Sequence, residues 1–442
     1  MSFLTQALAG IQALTGGPLW DHSALLRFQN RRLKSVVKHA YSRIPFYREH
    51  LQSAGVTPEN IQGLKDLRRI PFTSRNLMQL FSDEDFVAQG LEASHLVTCS
   101  TSGSTGEPLR VSRTGFEETL VTLLRLRALL HLGLRPWQRI ARVAYYGQAV
   151  TQSAGPWSSV RSRLEISKKG RIHCQAPPGE ILDRLLEVKP HVLRGYPTIL
   201  TSVSEIITDS ESKLLKLELV ITGAEIVTAE IRRQLEEGYQ STVLDLYGAH
   251  EFPLIAYECK HSGAYHLCEE ALIAEVLKGE VAAGPGEAGE LVLTGLHSFA
   301  MPFIRYRTGD RVVLGECPCP CGAPYATLDS IQGRMLDLFY FPDGTIIDAS
   351  IIDQNLRRLA PWVRRYQVVQ KNLASVTIKT VAWKVPDSET IADTARKLKQ
   401  ELRDETEVIF EFCDELPLGP AGKFRLYESK LKPQDSKVPE SS

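Results

Sequence analysis

The chain has 442 residues, of which 43% are hydrophobic and 24% charged, and its 52 Lys and Arg residues balance 52 Asp and Glu residues. That length exceeds one ordinary core and predicts about two to four domains or subdomains. The charge balance excludes a global field that would draw in nucleic acid or an anionic membrane, so any polyanion must be held at a built site. No apolar run approaches the ~20 residues needed to cross a bilayer. The N-terminus MSFLTQALAGIQALTGG has no basic leader, so a signal peptide is not expected and the expected compartment is the cytoplasm.

In chain order, residues 23–54 carry apolar positions at helical spacing, and Pro45 splits them into two short helices. Between about 96 and 260, LVTCS, RIARVAYY, HVLRGYP, LELVITGAE and TVLDLYG read as strands separated by helical stretches. That alternation predicts an α/β fold with a largely parallel sheet, whose ligands sit beyond the carboxyl ends of the strands. Past residue 286 the texture turns to β, in GELVLTGL and FIRYRTGDRVVL. Strands at YQVVQ, SVTIKTVAW and EVIFEF around the helix TIADTARKLKQELRDE then predict a small α+β domain, and KPQDSKVPESS reads as a disordered tail.

The stretch TCSTSGSTGEP places Thr101, Ser102, Ser104 and Thr105 around Gly103 and Gly106, between a strand and the helical spacing of Leu123, Leu126 and Leu130. Backbone N–H groups and hydroxyls in such a turn form a concave donor surface suited to phosphate oxygens. Gly106 is followed by Glu107, Pro108 and Leu109, which excludes a Walker loop. A flexible surface loop is the alternative reading of such a Ser-Gly string.

TSGSTGEP resembles the phosphate-binding loop of the adenylate-forming superfamily of acyl-CoA synthetases and adenylation domains. Further segments resemble that family's motifs, in its order. They are Gly223-Ala224-Glu225, Tyr247-Gly248-Ala249-His250-Glu251, Tyr306-Arg307-Thr308-Gly309-Asp310, Gly333-Arg334 and Gly422-Lys423. The resemblance implies ATP as substrate, with 223–225 against the adenine and Tyr247 and Gly248 on its side. It implies Mg²⁺ at Glu251, Asp310 and Arg334 on the ribose, and Lys423 as the catalytic lysine. Singly, Glu225 could cap a helix, Asp310 could close a turn and Lys423 could be an ordinary surface lysine.

The segments RIPFYREHL, LKDLRRIPFTSR and AMPFIRYRTGD are similar to the phenylacetate–CoA ligase-like branch. That branch implies a large N-terminal domain of mixed, mostly parallel sheets with a β-rich subdomain, here residues 1–334, followed by a small mobile α+β domain over 335–432 and a tail over 433–442. It also implies a structural zinc site within about 255–325. Cys259, His266, Cys319 and Cys321 are the expected ligands, with His261, Cys268 and Cys317 as rivals; two short ligand pairs suit tetrahedral zinc.

The implied chemistry joins a carboxylic acid to the α-phosphate of ATP, then passes the acyl group to CoA. The expected acid is aromatic or arylacetic. Tyr145, Tyr146, Tyr196 and Pro197, near strand ends, are candidate pocket residues or simply core. His250, beside Glu251, is placed to touch the acyl carboxylate, and no basic residue stands out as a carboxylate clamp. A homodimer is left open.

The hinge departs from well-matched CoA ligases, because Leu336 stands where they carry an aspartate, and LFYFPDGTIID lacks their Gly-Asn stretch. This brings forward a second reading, similar to capsule and exopolysaccharide gene products, in which an amine, sugar or carrier protein accepts the acyl group. A third reading, a nucleotide-binding regulator without turnover, leaves Lys423 without a purpose.

Overall fold

The computed structural model describes residues 3–16, 20–100, 109–146, 150–151, 170–316, 318–334, 338–341, 346–348, 356, 359–360, 362–402, 406–416, 424, 426–429 and 431. Two compact units emerge. One comprises Met1–Thr308 with Val312–Ile331, and the other Gly309–Arg311 with Gln332–Ser442. No described helix is long and apolar enough to cross a membrane.

The first unit is organised by one long sheet with two halves of different character. Strands Arg171–His173, Ile140–Ala144, Val192–Gly195, Leu219–Gly223 and Thr242–Tyr247 lie side by side and parallel. Beyond Thr242–Tyr247 the pairing turns antiparallel, through Ala256–Glu258, Tyr265–Leu267 and Thr327–Arg334. The parallel strands carry apolar residues on both faces, as a sheet covered on both sides requires. Leu219 and Ile221 face one core cluster, and Val220 between them faces another.

The Pro45 break is as the sequence predicts: helix His22–Arg43 ends and helix Pro45–Ser53 begins. Proline is tolerated in a helix's first turn but cannot continue one. LVTCS differs from expectation. Strand Leu96–Ser100 is not in the parallel sheet but pairs antiparallel with Arg110–Thr114 and Val150–Thr151. The Gly-Ser-Thr stretch therefore runs from strand to strand, not from strand to helix, and the helix Gly115–His131 starts only after the second strand. In LRVSRT only Arg110 is exposed, and Leu109, Val111, Ser112 and Arg113 are all buried, as a strand covered on both faces requires.

That helix opens on a capping box. Thr114 Oγ1 accepts from Glu117 N at 3.2 Å, and Glu117 Oε2 accepts from Thr114 N at 2.8 Å. The second carboxylate oxygen of Glu117 accepts from Phe299 N at 2.6 Å and Ala300 N at 3.0 Å. Burial pushes the Glu117 carboxyl up from its ordinary range, against the pull of these donors. One buried carboxylate thus joins the loop's exit helix to the segment that leads into strand Tyr306–Leu314.

The second unit is the expected α+β arrangement. Strands run in the order Glu407–Phe412, Ser375–Ala382, Val363–Asn372, Tyr427–Ser429, with helix Ser388–Leu402 packed against them. Tyr427 aligns with Val368 in a parallel pair.

Glu117→Ala should leave the N–H groups of Thr114, Phe299 and Ala300 without an acceptor and cost roughly 3 kcal/mol or more, at about 1–3 kcal/mol per orphaned buried group. Glu117→Gln, which keeps an acceptor oxygen, should lose less. Urea denaturation measures both, and a loss below ~1 kcal/mol for the alanine variant would show that this carboxylate is not an anchor.

Candidate active site

The parallel strands end at one edge, and the expected adenine-side residues lie there. Gly223 closes its strand against the neighbouring one so tightly that a Cβ would meet Leu246 O at 2.7 Å. Ala224 follows with φ of 70°, a left-handed conformation that costs an L-residue energy. Gly248 is similarly confined, since a Cβ would lie 2.6 Å from Pro253 O. Tyr247 packs its half-buried ring against the main core. The turn after it is closed by Ala249 N donating to Phe252 O at 2.8 Å and Ile255 N to Tyr247 O at 2.9 Å.

This turn presents His250 and Glu251. The backbone of both is held by Arg113, whose guanidinium donates to His250 O and, at 3.3 Å, to Glu251 O. Arg113 is itself buried and lies 3.4 Å from the Glu118 carboxylate. The carboxylate of Glu251 accepts from Tyr306 Oη at 2.9 Å. Glu251 is therefore fixed from two sides, by the strand that follows the Gly-Ser-Thr stretch and by the first residue of the Tyr-Arg-Thr-Gly-Asp motif. Neither Arg113 nor the Tyr306 hydroxyl is apparent from sequence. The Thr114-x-x-Glu117 box next to Arg113 is the nearest signal.

The approach to Tyr306 is equally constrained. Arg305 has φ of 45° and forms an ion pair with Glu275 at 3.0 Å. It also donates to Ile70 O at 2.8 Å, and Thr73 Oγ1 donates to Ile304 O at 2.9 Å. Thr73 and Ser74 pair in parallel with Tyr306 and Arg307. The similarity noted in both RIPFTSR and FIRYRTGD thus has a common physical origin, because the two segments share a ladder.

Glu225 takes a structural position. Its carboxylate accepts from Thr198 N at 2.9 Å and Thr198 Oγ1 at 2.8 Å, capping helix Pro197–Ser204. Pro197 is buried as the first residue of that helix, and Tyr196, its N-cap, is half-buried. Tyr145 and Tyr146 follow strand Ile140–Ala144 and are 39% and 36% exposed, open enough to meet a ligand. Asp310 is half-buried within strand Tyr306–Leu314, beside Gly309 with φ of 73°. The loop residues Thr101, Ser102, Gly103, Ser104, Thr105 and Gly106, and Lys423, lie outside the described residues. Arg334 ends strand Thr327–Arg334.

The antiparallel half gathers Cys259, His266, Cys319 and Cys321, whose ligand atoms all lie within 4.8 Å of one another. Cross-strand register places Tyr257 opposite His266 and so brings Cys259 near the imidazole. Cys321 Sγ sits 3.2 Å from His266 Nε2, and Cys319 Sγ 3.8 Å from Cys259 Sγ. Among the described residues this is the only such group. Cys268 is buried apart from it, its thiol pushed up to about 12 by burial, and His261 is exposed. Cys317 lies outside the described residues.

Comparison with known proteins agrees with this geometry. The chain is 28% identical over 364 residues to a phenylacetate-coenzyme A ligase of Thermus thermophilus, covering 78% of each chain. It is 25% identical over 431 residues to a phenylacetate-coenzyme A ligase of Pseudomonas putida, covering 92% of this chain and 95% of the relative. The fold is shared with a crystal structure of a 2-hydroxyisobutyryl-CoA ligase in its postadenylation state, at a TM-score of 0.75 and 18% identity over 91% of this chain and 88% of that one. The chain thus resembles the phenylacetate-coenzyme A ligases over most of its length and shares the fold of that CoA ligase. The CapK C-terminal domain family matches residues 339–430. The match begins three residues past Leu336.

The helix-capping contact of Glu225 makes a prediction independent of nucleotide. Glu225→Ala should lower the unfolding free energy by about 1 kcal/mol with no ATP present, as loss of other N-terminal caps does. A denaturation midpoint unchanged from wild type would show that the cap contributes nothing.

Proposed function

We propose that the protein activates a carboxylic acid with ATP and then transfers the acyl group to CoA. The acid is of the aromatic or arylacetic class. A carboxylate oxygen attacks the α-phosphorus, the bond to pyrophosphate breaks, and an acyl-adenylate forms; a thiol sulfur then attacks the acyl carbon and AMP leaves. The observation that carries this reading is the double restraint on Glu251, by Arg113 and Tyr306. A carboxylate whose backbone is held by the strand following the Gly-Ser-Thr stretch suits a divalent cation between phosphates, and a bound Mg²⁺ would offset the charge that builds up there.

In this reading Thr101, Ser102, Ser104 and Thr105 hold the β- and γ-phosphates, and Gly103 and Gly106 permit their close approach. Gly223, Ala224, Glu225, Tyr247 and Gly248 border the adenine, and Asp310 and Arg334 hold the ribose. Lys423 brings a mobile cation between the attacking carboxylate and the α-phosphate. His250 orients the acyl carboxylate, and Tyr145, Tyr146 and Tyr196 line the acyl pocket. Cys259, His266, Cys319 and Cys321 hold a structural zinc; the donor set of three thiols and one imidazole, mostly buried, suits Zn²⁺ in a closed tetrahedral site.

A second reading is favoured by one observation, the CapK C-terminal domain match over 339–430. In it the adenylate forms in the same way, but an amine, sugar or carrier protein accepts the acyl group.

ATP-dependent pyrophosphate release, measured against aryl, arylacetic, fatty and amino acids with and without CoA, decides between the readings. Release that yields a thioester only with CoA supports the first, and release indifferent to CoA supports the second. Lys423→Ala should lower release by roughly 10²–10³-fold, the loss typical of one electrostatic stabiliser, with ATP binding retained. An unchanged rate would remove Lys423 from the chemistry.

The metal makes a separate prediction. Purified protein should contain about one zinc per chain, and strong chelators should lower its melting temperature, because binding of a structural zinc contributes directly to folding. Metal analysis of Cys321→Ser should show depleted zinc. Full-stoichiometry zinc in that variant would exclude Cys321 as a ligand.

A further inference from the structure

One face of the parallel strands changes character half-way across the sheet. Leu244, Ile221, Arg194, Arg142 and Arg171 are aligned in register on five neighbouring strands. Aligned residues in a sheet point to the same face, about 4.8 Å apart from strand to strand. Leu244 and Ile221 are buried in the main core on that face, where Val192 and Ile140 also pack. The three arginines thus occupy positions that a sheet covered on both sides normally gives to apolar residues.

A fourth arginine completes the cluster. Arg125 projects from helix Gly115–His131 and donates to Pro253 O at 3.1 Å, two residues beyond Glu251. Among the described residues, no carboxylate lies within ion-pair distance of Arg125, Arg142 or Arg194. Glu118 influences Arg125 but is paired with Arg113. Lost hydration, followed by repulsion from Arg142 and Arg125, brings Arg194 down to about 9; lost hydration and then Arg142 bring Arg125 to about 10. Both remain cationic at neutral pH. Arg142 is exposed and the other two are half-buried, so the cluster is open to a ligand.

The same cluster adjoins Tyr146 of the acyl pocket. Tyr146 feels the charges of Arg142, Arg171 and Arg194, and the Arg171 guanidinium lies 5.9 Å from its ring centre. Tyr196, the N-cap that follows strand Val192–Gly195, packs against the core on the opposite face, although the Arg142 charge still reaches it. A molecule packed on the Tyr146 ring would end against the arginines.

We propose that Arg142, Arg194 and Arg125 form an oxyanion-binding subsite that holds a second anionic group of the acid being activated. The acid is then a dicarboxylic, phosphorylated or sulfated one, with its reacting carboxylate toward Glu251 and its other anion on the arginine row. This deepens the acid-activating reading above and rests on it. Guanidinium groups suit the task because they present paired N–H donors to carboxylate, phosphate or sulfate. The row is also chemically able to hold a phosphate of CoA, and the test separates the two sources.

The test uses the full-length protein, with Arg142→Gln and Arg194→Lys as variants. In the first arm, melting temperature is followed against inorganic sulfate and against paired acids such as phenylacetate and its ring-carboxylated analogue, without ATP. Wild type should be stabilised saturably by sulfate and by the dianionic acid, and Arg142→Gln should lose that stabilisation. The anion-free melting temperature of Arg142→Gln should not fall, since removing one cation relieves repulsion; a purely structural arginine would lower it. In the second arm, the kcat/KM preference for dianionic over monoanionic acid in pyrophosphate release should drop by roughly 10- to 100-fold, the loss of one hydrogen bond to a charged group. Arg194→Lys keeps the charge and should retain part of the preference.

Absence of saturable sulfate binding to wild type would overturn the subsite. Weakened CoA binding in Arg142→Gln with an unchanged acid preference would overturn its assignment to the acid and give it to the CoA phosphates. Variant-sensitive binding of the dianionic acid with no pyrophosphate release from any acid would sustain the subsite and overturn the activity instead.

Discussion

The Glu117 carboxylate is the constraint on which the site depends. It closes the first turn of the helix that follows the Gly-Ser-Thr stretch and, with its other oxygen, fixes the backbone at Phe299 and Ala300. Those two positions lie at the start of the segment that delivers Tyr306 to Glu251. A buried carboxylate is costly unless its acceptor sites are filled by well-placed donors, and here the main chain supplies them. The same economy recurs at Arg305, which is paired with Glu275 and also satisfies the carbonyls of Arg68 and Ile70. Such buried groups add little net stability, but they hold two distant pieces of chain in one relative position.

The two halves of the long sheet divide the labour. Parallel strands end together at one edge, where Gly223, Tyr247 and the Glu251 turn converge, and a glycine at 223 or 248 is required because neighbouring carbonyls stand where a Cβ would be. The antiparallel half makes short hairpins instead, and short hairpins bring side chains from adjacent strand ends close together. Cys259 and His266 meet across one such hairpin, and Cys319 and Cys321 reach them from the turn before Thr327–Arg334. Cross-linking by a metal would suit the two three-residue strands Ala256–Glu258 and Tyr265–Leu267, which few ladder hydrogen bonds hold.

Much of this was legible in the sequence because it is encoded locally. Pro45 ends a helix wherever it falls, and the alternation of strand-like and helical stretches gives a parallel sheet from pattern alone. The motifs read at 223–225, 247–251 and 306–310 were placed by family resemblance, since their spacing has no local physical meaning. What escaped is what register decides. Leu96–Ser100 reads as one more parallel strand until its antiparallel partner Arg110–Thr114 is known. Arg113 carries no signal because its partners lie some 137 positions away.

The arginine row illustrates the limit most clearly. A formal charge of zero over 442 residues describes the chain and says nothing of the field inside it. Arg142, Arg171 and Arg194 are scattered over three strands with nothing in common in their flanking sequence. Only parallel pairing sets them side by side, and only the helix carrying Arg125 adds a fourth cation above them. Their repulsion is a cost that folding must carry, concentrated on a face where the next two strands place isoleucine and leucine. A row of apolar residues would fill the same space without that cost, so packing does not explain the arginines. The charge lies beside Tyr146, whose ring the Arg171 guanidinium approaches to 5.9 Å, and an anion seated there is what would offset the repulsion.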